Sequence, residues 1–118
     1  MTQGPKKYDL EERTAVYGEA VIKLCRGMTQ DVIAKPIIVQ LIRSSTSIGA
    51  NYMEANGASS KKDFRNKIFI CKKEAQETKH WLRMLATCVP GKKEEIRKLW
   101  VEAQELTLIF QKIASSAV

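Results

Sequence analysis

Apolar and small residues recur along this chain at alternating spacings of three and four, in separate stretches divided by turn-forming residues. One stretch runs through Leu10, Thr14, Tyr17, Val21 and Leu24, another through Phe64, Ile68, Cys71, Ala75, Thr78, Leu82 and Leu85, and the last through Ile96, Leu99, Ala103, Leu106, Phe110 and Ile113. Between them Ile38, Leu41, Ser45, Ile48, Tyr52 and Ala55 keep the same spacing but place a serine in the seam. A repeat of about 3.5 residues marks the seam of helices packed at shallow angles. Four such segments joined by short connections predict an all-α protein, an antiparallel up-down-up-down four-helix bundle.

Punctuation sets the expected limits at 9–26, 36–56, 60–87 and 92–114, within one domain of 118 residues. Asp9 with Glu12 three residues on reads as a capping box, and Gly27 as a left-handed stop. Pro36 suits the first turn of the second helix. Asn56-Gly57 closes that helix and Ser60 with Asp63 opens the next, so the second and third helices form a tight hairpin. Val89-Pro90-Gly91 breaks the chain before the fourth.

A chain of this length buries a core without staples. Its three cysteines, Cys25, Cys71 and Cys88, are odd in number and lack a CxxC spacing, so they read as reduced and structural. No apolar run approaches the roughly 18 residues of a membrane span, and the opening MTQGPKK lacks the apolar centre of a signal peptide, which points to the cytoplasm and to no membrane partner.

Charge changes the picture more. Twenty Lys and Arg against thirteen Asp and Glu leave +7, and much of the excess falls on the third helix. There Arg65, Lys72 and Lys79 stand seven apart on one flank, with Lys62 and Arg83 one row further out. A rod of evenly spaced cations suits a phosphate backbone, whose neutralisation releases counterions and gives affinity without reading bases. The stripe itself holds no aromatic platform for a base.

Away from the seams, Phe69 and Ile70 on the third helix and Trp100, Val101 and Leu108 on the fourth leave apolar groups on the backs of two helices. That predicts a second buried surface and hence self-association. The second helix carries a polar line, Gln40, Ser44, Ser47, Asn51 and Glu54, which is expected to pair with Glu74, Glu77 and Trp81 across the hairpin and so fix its register. Glu77-x-x-His80 resembles half of a di-iron ligand set, but a second motif is missing and His80 is the only histidine. No metal ligands, catalytic residues or cofactor loop emerge, so the chain reads as no enzyme.

The run Gln40 to Ala55 (QLIRSSTSIGANYMEA), followed by Ser60-Lys61-Lys62-Asp63-Phe64, by Lys73-Glu74-Ala75-Gln76-Glu77-Thr78 and by Trp81-Leu82, resembles the 23S ribosomal RNA intervening-sequence proteins. The opening Tyr8 to Thr14 is similar too, whereas the fourth helix matches only in pattern and Cys71 stands where an alanine is expected. The resemblance implies a small bacterial bundle assembling into a ring, a pentamer. A related branch serves diversity-generating retroelements, binding nucleic acid and a reverse transcriptase. It marks Arg43, Ser47, Asn51, Glu54, Glu74, Glu77 and Trp81. Residues and resemblance together point to a non-enzymatic, oligomeric binder of RNA or DNA; the competing reading is a protein-interaction scaffold that touches no nucleic acid.

Overall fold

In a computed structural model, which describes residues 9–116, the chain forms four helices: α1 (Leu10–Arg26), α2 (Ala34–Asn56), α3 (Lys61–Cys88) and α4 (Lys93–Ser116). A 3-10 turn, Pro90–Lys92, leads into α4, and no strand occurs among the described residues. The architecture is the expected four-helix bundle. Residues 1–8 and 117–118, including the opening MTQGPKK and Tyr8, lie outside the described residues.

The seams become the core. Ile68, Cys71, Ala75, Thr78, Leu82 and Leu85 of α3 are all buried, as are Leu10, Tyr17, Val21, Ile38, Leu41, Ile48, Ala103, Leu106 and Phe110 from the other helices. Polar seam residues answer to nearby carbonyls. Thr14 Oγ1 donates to the Leu10 carbonyl at 2.7 Å and Thr107 Oγ1 to that of Ala103 at 2.8 Å. Thr78 Oγ1 donates to the Glu74 carbonyl at 2.8 Å and lies 2.9 Å from Ser44 Oγ, tying α3 to α2. Every buried side-chain nitrogen or oxygen among the described residues has a partner, so the seam carries no uncompensated desolvation. The cysteines are free, and burial pushes the Cys25 thiol up to about 11 and the Cys71 thiol up to about 12, which leaves both protonated and inert at neutral pH.

Local signals fare unevenly. Ser60 caps α3 by accepting from the Asp63 N–H at 3.0 Å, and Pro36 sits in the first turn of α2, where its missing N–H costs nothing. Asp9 makes no side-chain cap, so the expected capping box is absent. Gly27 is no left-handed stop either, since its φ is −86°. The cap that holds the start of α2 comes from Asp31, whose Oδ1 accepts from the Ile33 and Ala34 N–H groups at 3.0 and 2.8 Å.

The helices are not evenly spaced. Their Cα trace extends 44 × 32 × 19 Å, because α1, α2, α3 and α4 pack mainly on their neighbours in sequence while α1 and α4 scarcely approach. Across that gap Tyr17 Oη donates to the Leu99 carbonyl at 2.8 Å, and Arg13 reaches Glu102 at 2.7 Å and Glu105 at 2.9 Å. Between α1 and α2 the approach is close. A Cβ built on Gly49 would come within 3.2 Å of Thr14 Oγ1 and 3.5 Å of the Thr14 carbonyl carbon. Gly49→Leu should therefore wedge the helices apart and cost about 1–3 kcal/mol, read as a lowered thermal midpoint, although leucine is the better helix former.

Candidate nucleic-acid interface

Because α3 lies between α2 and α4, its two flanks differ in chemistry. On the α2 flank carboxylates meet cations. Arg43 of α2 reaches Glu74 at 3.4 Å and pairs closely with Glu77, whose Oε2 also accepts from the Trp81 indole N–H at 2.9 Å. Lys67 pairs with Glu54 at 2.7 Å, and Gln40 accepts from Arg43 Nε at 3.2 Å. Of the polar line on α2, then, Ser44 and Glu54 reach α3, as does the neighbouring Arg43, while Gln40 bonds only to Arg43 within its own helix. Ser47 and Asn51 do not reach α3 either: Ser47 Oγ donates to the Arg43 carbonyl at 2.6 Å and Asn51 Nδ2 to that of Ser47 at 2.8 Å, both within their own helix. Side-chain bonding one turn back competes with a cross-hairpin bond, which a spacing pattern does not reveal.

The α4 flank of α3 holds cations without carboxylates. Among the described residues, Lys62, Arg65, Lys72, Lys79 and Arg83 have no carboxylate within 4.0 Å, while Arg13, Arg43, Lys67 and Lys92 all do. Lys62 and Arg83 are exposed, and the other three are half-buried, Arg65 and Lys79 with their heads on α4. Arg65 Nε donates to the Ala114 carbonyl at 3.3 Å, answering an end carbonyl of α4, and Lys79 Nζ donates to Gln104 Oε1. The stripe is thus a boundary row in which Lys62 and Arg83 are exposed while the Arg65 and Lys79 heads lean on α4.

Aromatic rings stand beside it. The Arg65 guanidinium lies 5.1 Å from the Phe69 ring centroid and the Lys79 ammonium 5.3 Å from that of Trp100. A helical wheel of α3 alone lacks the indole because α4 supplies it. Trp100, Val101 and Leu108 all remain exposed, Leu108 at 57%, and they share this face with Phe69 and the cations. Ile70 falls elsewhere, half-buried on the row of Lys67 and Glu74 toward α2. The pattern along the chain also passes over Val32 and Ile33, which stand exposed at the start of α2.

His80 is exposed, edge-on to the Trp81 ring with centroids 4.8 Å apart, and no group of three or more potential metal ligands gathers among the described residues. No described helix is long and apolar enough to cross a membrane.

A bundle with this seam, this hairpin and this charged flank is a 23S rRNA-intervening sequence protein by family: the family model matches residues 6–112, and the chain belongs to it. Among solved structures it is similar to a protein of unknown function from the S23 ribosomal protein family of Bacteroides thetaiotaomicron. The two share 29% identity and a TM-score of 0.77, over 88% of this chain and 96% of that one. Nothing among the curated proteins matches the chain.

The α2 flank has a titration signature. The Trp81 N–H, and then Arg43, hold the Glu77 carboxyl below its ordinary value of 4.5. A carboxyl depressed in the folded state adds stability above that ordinary value and loses it as pH falls through the lower, folded one. Melting curves between about pH 6 and pH 3 should therefore show the midpoint dropping on acidification, and Glu77→Gln should flatten the drop.

Proposed function

We propose that this protein is a non-enzymatic, self-associating bundle that binds RNA or DNA through its backbone, with Lys62, Arg65, Lys72, Lys79 and Arg83 as the phosphate-contacting row. The observation that carries the reading is a continuous row of cations without carboxylate partners among the described residues, on a helix whose other flank pairs Lys67 and the facing Arg43 with carboxylates. A row of cations suits a polyanionic backbone, and no side chain in the row is an amide placed to read base edges. Binding is accordingly weak in sequence preference and steep in salt dependence. The free thiols fit a reducing, cytoplasmic setting in a bacterial cell.

Self-association draws on the apolar residues that the cations leave uncovered, chiefly Leu108 and Val101 with Phe69. Two copies related by a two-fold axis on this face would set cation row against cation row. A head-to-tail arrangement, which closes into rings such as the pentamer the family resemblance suggests, avoids that repulsion. The same exposed apolar residues favour a second reading, a scaffold for a protein partner such as a reverse transcriptase.

Two experiments separate these readings. Lys62→Gln, Lys72→Gln and Arg83→Gln combined spare the cations bonded to α4. The triple variant should keep its helicity, bind unrelated RNA and DNA more weakly, and flatten the log–log salt slope by about 0.9 for each duplex phosphate it no longer neutralises, or about 0.7 on single strands. No binding by the parent protein at low salt would favour the scaffold. In light scattering, the parent should be a discrete oligomer, and Val101→Lys with Leu108→Lys should dissociate it with little loss of helicity. A parent that is monomeric at micromolar concentration would remove the self-association.

A further inference from the structure

Where α3 turns into α4, the two helices splay around a groove of about 340 Å³. Its floor is apolar, from Leu82 and Ile96; its wall includes the Trp100 indole and Val101, where the groove meets the edge of the proposed self-association surface; and its rim carries Arg83, Lys93 and Arg97. No Asp or Glu lines it. The three cations have no carboxylate within 4.0 Å among the described residues, and Lys79 sits over the same indole. The larger groove between α1 and α4, about 440 Å³, has the opposite character. Asp9, Glu12 and Glu102 line it and its Arg13 is already clamped by Glu102, so it repels phosphate.

We infer that the groove at the α3–α4 turn seats an unpaired base of a single-stranded nucleic acid, stacked against Trp100, with the flanking phosphates on Arg83, Lys93 and Arg97. The inference rests on the reading of the α3 row as a phosphate track, of which the groove is the far end, since Arg83 belongs to both. An apolar slot at the small end of the usual range for ligand pockets fits a flat ring system better than a bulky side-chain cluster. A cationic track with an aromatic wall is the combination by which proteins hold single strands, the phosphates supplying affinity and the ring taking a base by its π face. Duplex DNA keeps its bases stacked inside and has none to offer. Because the lining holds no neutral donor–acceptor group, the seat discriminates little between bases.

The test uses the two tryptophans. In a Trp81→Phe protein the remaining indole is Trp100, and its emission reports the groove while anisotropy of a labelled strand reports binding. Three probes are compared: an oligothymidylate about eight nucleotides long, an abasic strand of the same length, and a blunt-ended two-strand duplex. Oligothymidylate should quench Trp100 along its binding curve, whereas the abasic strand and the duplex bind without quenching. Trp100→Leu should weaken oligothymidylate roughly 5- to 100-fold and leave the abasic strand unaffected. Equal quenching by the abasic strand, or saturation by oligothymidylate with unchanged emission, would overturn the base seat while leaving the phosphate track standing. Failure of the abasic strand and the duplex to bind at low salt would instead remove the track, and the base seat with it.

Discussion

α3 is flanked by α2 on one side and α4 on the other, which leaves its flank positions neither buried nor free. A side chain there must cross a neighbouring helix before it meets water, so only long amphipathic residues serve: the stem covers apolar surface and the head emerges at the edge. Lys67, Glu77 and Trp81 meet that demand toward α2, beside a buried Glu74, and Arg65 and Lys79 toward α4. The surface chemistry of the bundle follows from how each flank fills these positions. Toward α2 the heads find opposite charges and lock the hairpin. Toward α4 they find one amide, one end carbonyl and two aromatic rings, none of which cancels their charge.

Like charges kept in a row without counter-charges repel one another through solvent, a cost that ionic screening reduces and a bound polyanion reverses. The exposed apolar residues on the same face act differently, since their gain comes from shedding water and is indifferent to salt. One face therefore carries two attractions with different salt responses. Associations that depend on Leu108 and Val101 strengthen, relative to those that depend on Lys72 and Arg83, as ionic strength rises.

The fold was legible because its seam is simple: a three-and-four alternation translates into burial almost residue for residue, from Leu10 to Phe110. Only the seam edges, such as Leu24 and Tyr52, emerge partly into solvent. Capping was legible at Ser60, where a hydroxyl and an N–H three residues on belong to one local unit, and illegible at Asp9, where the carboxylate had no obligation to turn inward. The polar line on α2 divides the same way. Arg43 must reach across the hairpin because its long side chain finds Glu77 there, while Asn51 is short enough to be satisfied one turn back. The candidate site was half visible. The cations lie along one helix and can be counted on a wheel, but the indole beside Lys79 belongs to another helix, and only the packing of α3 on α4 brings the two together.

No described residue has a positive φ, and Gly27, Gly57 and Gly91 sit in conformations open to any L-amino acid. The glycine that is hard to replace lies inside a helix: Gly49 is held by the space Thr14 takes up, not by its dihedral angles. For anyone redesigning or threading relatives of this chain, the usual expectation is inverted. Apart from the capping Asp31 and Ser60, the connections, including the glycines in them, can be rewritten with little regard for backbone conformation, while a position in the middle of α2 that looks like a helix-weakening blemish is the one to leave alone.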